Sequence, residues 1–522
     1  MTNRYLEPPA GSDGNPISAL ALAVGVIWYL VLGTGIVSDD FALIVTLSKL
    51  SPEEMLLPTA ASIATPLTHF THAWPYHLIQ FHGVIFYDFL KALYVTLAFL
   101  MLRSFFGLWL GAGKSIIVAG LFVFYPIHDA VTYWFMGQYL LLSFALYAFA
   151  FFLLERGRPV ASFVFGLSGS FISYGSTAIA CGLALIFVMR KDFRRAALLL
   201  APNLIYAGYY LFVAVHLGKG VNRIPSDLGI AALARQYLLQ VATFIDSAIG
   251  PSFWLKVFFA LGELTLVSAV IGATVWFALS RLRDESGAGA ARGELIWGAL
   301  ATTLAAFALF SVTGFYPQIA FNLGDRVTIF GNFLMVALLA ALPWNRRLWL
   351  AALGLYVAVV FGVSDHWKAW NLHQQAVIER IGVNAGLRQI LPGQVLFVTG
   401  NQYSRFGRIS HLEFFSEAWV VNSVFALALS RPPAYEVTPL NARFHYADGY
   451  LVDRKYATKR PVRESIWIYD SEGDRLAELP VAGINAYIER MPRDYRNWVQ
   501  FLGDGPLKRA ILFLMPRLEY AF

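Results

Sequence analysis

The chain has 522 residues, 57% hydrophobic and 14% charged, with a mean hydropathy of +0.57. That balance excludes an ordinary soluble protein and places the chain among integral membrane proteins. The net charge of +7 is no signal for nucleic acid, since cations in such a chain mark membrane sidedness, and the one cysteine, Cys181, excludes an intramolecular disulfide.

The first apolar run, 17–37, is long enough to cross a bilayer. Residues 1–16 are polar and no small-residue cleavage site follows the run, so it reads as a retained span, not a signal peptide. Ser38-Asp39-Asp40-Phe41 comes directly after it, followed by the apolar stretch 41–45. Two adjacent acids at a membrane exit, leading an amphipathic segment, have two compatible readings. With Ser38 they cap the next helix, where carboxylates suit the exposed N–H groups, or the two acids form a catalytic pair. The loop they open, 38–82, also holds Lys49, Glu53, Glu54 and four histidines, His69, His72, His77 and His82. The histidine spacing is loose and interrupted by Pro66 and Pro75. It favours interfacial polar groups or substrate contacts over a dedicated zinc site, with Asp40, His69 and His72 as the metal candidates.

Further spans read at 83–102, 114–126, 138–154, 195–216, 253–280, 295–313, 327–342 and 348–363. Asp88 and Lys91, near the outer part of the second span, pair with each other. Gly111-Ala112-Gly113-Lys114-Ser115 only mimics the tail of a phosphate-binding loop: the required first glycine falls at Leu108 and no strand precedes it. The second outer loop, 125–138, sets His128, Asp129 and Gln138 among tyrosine and tryptophan, a cavity lining as much as an interfacial belt. As one helix, 159–188 would be about 45 Å long, too long for a ~30 Å core, and as two full spans it is too short. Its small-residue middle indicates two short helices that turn inside the protein.

Cations such as Arg156, Arg158, Arg190, Lys191, Arg346 and Arg347 collect on one side, a positive-inside pattern with the N-terminus cytoplasmic. The expectation is an all-α polytopic membrane domain, 1–363, of about eleven helices, and a small α/β domain, 364–522, on the outer face. In the latter, 395–399 and 465–469 read as strands, 411–430 as a buried amphipathic helix, and 510–515 as a further core or interfacial element.

The segment 314–326 ends in Arg326, its sole cation, at the mouth of a span. Arginine there snorkels to headgroups or grips a phosphate, which a guanidinium suits. On an outer face soluble nucleotide sugars are absent, so an activated sugar arrives on a lipid carrier. Its phosphate is a good leaving group, and the protein then has to supply a carboxylate base and a cation.

Ser38-Asp39-Asp40 after the first span, the amphipathic segment behind it, the span count and Asn322-Leu323-Gly324-Asp325-Arg326 before a late span resemble the GT-C superfamily of polyprenyl-phosphate-sugar-dependent membrane glycosyltransferases. The resemblance covers roughly 1–363. It implies that Asp39 or Asp40, more often the first of such a pair, is base or metal ligand, and that Arg326 meets the donor phosphate. Lys49, His128, Asp129 and Gln138 stand as further substrate-binding candidates. The implied partners are a polyprenyl-phosphate-linked sugar, a glycan, lipid or protein acceptor, and the bilayer, with a divalent metal used by some relatives and not others. The short loops point to a bacterial inner membrane or an equivalent internal membrane of a eukaryote, and the cation pattern sets the C-terminal domain on the outer, periplasmic side. The Trp-Trp-Asp signature of oligosaccharyltransferases is absent. A secondary transporter is the first competing class, but it calls for internal repeats and midplane ionisable groups. A lipid-linked glycan ligase or polymerase is the second, and it resembles enzymes with an arginine-rich outer loop, which this chain lacks.

Overall fold

The computed structural model describes residues 16–56, 58, 62–79, 83–217, 229–282, 289–313, 316–341 and 345–514. The chain is an integral membrane protein: among the described residues, seven helical segments are long and apolar enough to cross a membrane, and shorter apolar helices pack among them.

Helix α1 (Pro16–Val31) leads through a turn at 32–38 into α2 (Asp39–Leu47), nine residues and too short to span. Helix α3 (Pro66–Ile79) carries Pro75 in its interior. Then come α4 (Val84–Phe106), α5 (Ala112–Val123), the single turn α6 (Ala130–Tyr133) and α7 (Gln138–Glu155). On α4, Ile85, Phe86, Phe89, Leu93 and Leu97 are exposed at helical spacing, the stripe expected of a face against lipid. The Gly-Lys-Ser stretch simply opens α5.

The interval 159–188 is two short helices, α8 (Pro159–Ile172) and α9 (Ser176–Met189), as the small residues suggest. Pro159 starts the first, and the turn is extended at Ser173, whose Oγ accepts the Gly175 N–H at 3.1 Å. A Cβ on Gly182 would overlap Thr302 Oγ1, so this glycine lets α9 lie directly on α14.

Helices α10 (Phe193–Leu217) and α11 (Ile230–Ala248) follow. The latter escapes a hydropathy reading because it buries Gln240, Thr243 and Ser247 along one side. The run 253–280 is not one span but α12 (Pro251–Glu263) and α13 (Leu266–Ser280). The break is stable because Asp365 accepts both the Thr265 N–H and its hydroxyl at 2.8 Å, and the Ser268 hydroxyl at 2.7 Å. After α14 (Gly289–Thr313), a 3₁₀ segment, Leu323–Thr328, leads into α15 (Ile329–Ala341).

Helix α16 (Arg346–Val383) is unbroken over 38 residues, about 57 Å, nearly twice the hydrocarbon thickness. The expected boundary at 363/364 therefore falls inside a helix. Beyond it lie β1 (Val395–Thr399), β2 (Tyr403–Phe406), β3 (Ile409–Glu413), α17 (Ala418–Ala428), β4 (Glu436–Pro439), β5 (Phe444–Ala447), β6 (Tyr450–Asp453), β7 (Thr458–Pro461), β8 (Ser465–Asp470), β9 (Arg475–Pro480), α18 (Ile484–Arg490) and α19 (Pro506–Leu514). The stretch read as one helix from 411 to 430 thus starts as strand β3 and becomes helical only at Ala418, and Met515 lies outside the described residues.

The main sheet runs β4-β1-β8-β9, parallel except for the last pair; β2-β3 and β5-β6-β7 are small antiparallel sheets. Strand β1 alternates as a pleat must: Leu396 and Val398 join the core that continues down into the membrane helices, while Phe397 faces a separate core with Leu440, Phe444, Ile466 and Ile468. One face of the sheet is thus built onto the helical part.

Candidate active site

Two backbone turns deliver the two residues of greatest interest. The first, 32–38, is pinned to α4: Asp88 accepts the N–H groups of Gly33 at 2.9 Å and Gly35 at 2.8 Å, and Lys91 bonds Asp88, Thr34 Oγ1 and the carbonyls of Gly35 and Tyr133. The expected Asp88–Lys91 pair is therefore a clamp on this turn. Ser38 then sits at φ 50°, a left-handed conformation uncommon for a side-chain-bearing residue, and makes no side-chain cap bond.

The Ser38 side chain does not cap α2, and Asp40 bonds to backbone outside the helix. Asp40 is fully buried, and its carboxylate accepts the N–H groups of Val37 and Met136, both at 3.0 Å. Burial pushes its pKa up to about 7, against the lowering pull of those two bonds. Asp39, one helical step of 100° away, turns the other way, stays half-buried, and accepts the Trp419 indole N–H at 2.7 Å.

The second turn repeats the scheme. Asn322 is left-handed at φ 60°, and its side chain accepts the Gly324 N–H at 2.7 Å. Asp325 is buried and anchors the segment, accepting the Ala130 N–H at 3.2 Å and the Lys256 ammonium at 3.0 Å. Arg326 points away from that anchor. Its guanidinium lies 5.1 Å from the ring centres of both Trp134 and Tyr316, and it donates to the Leu323 carbonyl at 2.8 Å. Among the described residues it has no ion pair.

Asp39 and Arg326 line one cavity of about 820 Å³. It also takes in Trp134, Tyr139, Tyr174, Tyr316 and Trp419, with His69 and His72 from α3. One apolar wall comes from Ala207, Tyr210 and Leu211 of α10 and from Leu309 and Val312 of α14, and runs out to the lipid side of α10, where Leu211 is exposed. A fixed cation, one carboxylate and an aromatic-rich lining open to lipid have the chemistry to accept an amphiphile with an anionic headgroup.

The other sequence candidates lie elsewhere. Asp40 is behind the wall, not on it, because its oxygens are spent on backbone. His128 is buried between the Phe122 carbonyl at 2.7 Å and the Asn332 amide at 3.0 Å. Gln138 donates to the Thr132 carbonyl at 2.7 Å, and Lys49 is exposed at the end of α2, away from the cavity. Asp129 belongs to a buried cluster, bonded to Lys256 at 2.5 Å, His411 at 2.9 Å and the Trp367 indole at 2.7 Å.

Asp40, His69 and His72 do not converge on a common point. His69 Nε2 meets the Met55 carbonyl at 2.9 Å and His72 Nδ1 the Thr68 carbonyl at 2.7 Å; His82 and the side chain of His77 lie outside the described residues. Among the described residues the three groups close enough to share an ion are Asp129, Asp325 and His411. The Lys256 ammonium already stands between the two carboxylates there, so a cation's place is filled.

Lys256, His411 and Trp419 are not among the site candidates that the sequence offers. The first had a signal, being a lysine inside an apolar run, where an ionisable group is costly without partners. Burial pulls His411 down to about 4, so it is neutral. Its Nδ1 accepts the Asn322 N–H at 2.9 Å, which leaves Nε2–H to donate to Asp129. Strand β3 thereby holds the Arg326 turn.

No family model and no curated protein matches the sequence. Among solved structures, the chain is similar to the crystal structure of ArnT from Cupriavidus metallidurans bound to undecaprenyl phosphate, with a TM-score of 0.38 and 13% identity over 81% of this chain and 85% of that one.

Proposed function

We propose that the chain is a GT-C-type glycosyltransferase that moves a single sugar from a polyprenyl-phosphate donor to a glycan, lipid or protein acceptor, with inversion at the anomeric carbon. The observation that carries this reading is that Asp39 and Arg326, from opposite ends of the membrane part of the sequence, line the same lipid-open cavity. The Arg326 guanidinium holds the donor phosphate while the prenyl chain leaves along the apolar wall of α10 and α14. Asp39 takes the proton of the acceptor hydroxyl, whose oxygen attacks the anomeric carbon. The bond from that carbon to the phosphate oxygen breaks, the phosphate leaves with the electron pair against Arg326, and the proton passes from Asp39 to water.

The positive-inside pattern supports action at the outer face of a bacterial inner membrane, with the C-terminal domain periplasmic. Asp39 is the only carboxylate among the described residues of the cavity wall, a poor donor set for a divalent ion.

The test is transfer from a radiolabelled polyprenyl-phosphate sugar by the purified protein. Asp39→Asn is expected to lower the rate by about 10²–10⁴-fold with an unchanged thermal midpoint. Full activity in that variant would remove the assignment of the base, and donor uptake across vesicles without transfer would favour the transporter reading.

A further inference from the structure

We infer that the C-terminal domain carries a second binding site, for a neutral carbohydrate, where its parallel strands end. Strands β4, β1 and β8 run in the same direction, and a cavity of about 430 Å³ opens past their last residues. Open parallel sheets bind ligands at this edge, and the volume falls within the ~300–1,000 Å³ of small-molecule sites. None of its lining residues is shared with the cavity of Asp39 and Arg326.

The edge is built, not merely concave. Gly400 follows β1 at φ +113°, where a Cβ would overlap the Ser471 hydroxyl. That hydroxyl donates to the Thr399 carbonyl at 2.8 Å, locking the loop after β1 to the loop after β8. Tyr487 of α18 is fixed over the same edge by its hydroxyl, 3.2 Å from Thr399 Oγ1, and Arg405 meets Asp494 at 3.3 Å.

The lining selects the ligand class. Asp470, Glu472 and Asp494 outnumber Arg405 and Arg490, so an anionic ligand meets net repulsion. None of the three strands leads into a helix: β1 runs on to β2, β8 into the β9 hairpin and β4 to β5. The helix N-terminal amides that hold phosphate are therefore missing from this edge. Carboxylates, the amides of Asn401 and Asn441, and the guanidinium of Arg490 together offer acceptors and donors, which sugar hydroxyls satisfy in pairs, and the Tyr487 ring supplies an apolar platform.

The site stands apart from the transfer reading, because binding needs no donor. The full chain in nanodiscs would be titrated with neutral hexose and N-acetylhexosamine trisaccharides, with sulfated trisaccharides, and with inorganic phosphate. At least one neutral trisaccharide should bind. Asp470→Asn combined with Arg490→Ala should weaken it by about tenfold or more, Arg490→Ala alone should weaken it less, and Asp39→Asn should leave it unchanged. The inference is overturned if no neutral probe binds, if a sulfated probe or phosphate binds better, or if both Arg490 variants bind as tightly as the parent.

Discussion

Two concentrations of charge lie a few residues apart in this protein and are built on opposite terms. In the buried cluster, Lys256 stands between Asp129 and Asp325, and His411 and Trp367 complete the shell of Asp129. Every charge there faces an opposite one. In the neighbouring cavity Arg326 has aromatic faces and a carbonyl instead of a carboxylate, and Asp39 has an indole instead of a cation. Adjacent residues supply both: Asp325 is anchor and Arg326 is presented, as Asp40 is anchor and Asp39 is presented. The buried groups fix the backbone, and the two that face the cavity are left with capacity for a ligand.

The contrast breaks most visibly at Lys256. Lys256→Met strands two buried carboxylates and is expected to cost about 3–5 kcal/mol of stability, read as a large fall in thermal midpoint or failure to purify as a monodisperse protein. Arg326→Ala, by contrast, removes a charge with no ion partner among the described residues. Donor affinity should fall by about 10–100-fold, corresponding to the ~1.5–3 kcal/mol of bonds to a charged group, while the thermal midpoint holds. An unchanged affinity in a donor-binding titration would reduce Arg326 to a headgroup anchor.

A pH titration sharpens the same difference. His411, held at about 4 against its usual 6.5, binds its proton more readily unfolded, so its contribution to stability falls as pH drops from 6.5 towards 4. Asp40, held at about 7 against 3.8, binds its proton more readily folded, so its contribution falls as pH rises from 3.8 to 7. The two slopes oppose. Asp40→Asn removes one, and melting curves of that variant should lose more stability on acidification than those of the parent. The smallest effect is expected from Trp419→Phe, which deletes a single bond to Asp39: a several-fold change in transfer rate with unaltered stability.

Much of this was legible in the sequence for identifiable reasons. Hydropathy found most membrane helices because lipid demands long apolar runs, and the small residues at 166–177 gave away the turn between α8 and α9. Adjacency of two acids marked a turn that reaches the cavity but could not say which one faces it; that depends on Met136 reaching Asp40 from 96 residues away. Arg326 stood out as the sole cation of 314–326. His128 and Asp129 were misplaced because polar residues beside tryptophan and tyrosine look alike whether they face a cavity or a buried lysine. Helix α11 was missed because its buried stripe is polar, and Trp419 had no local signal at all.

The two-sided sheet has a practical consequence for anyone handling the protein. Since Leu396 and Val398 rest on the helical part while Phe397 rests on a private core, a fragment starting near 364 would carry a raw apolar surface into water. The C-terminal third is better regarded as the upper storey of one building than as a detachable module, and whatever it grips is held at a fixed height above the bilayer by the unbroken beam of α16.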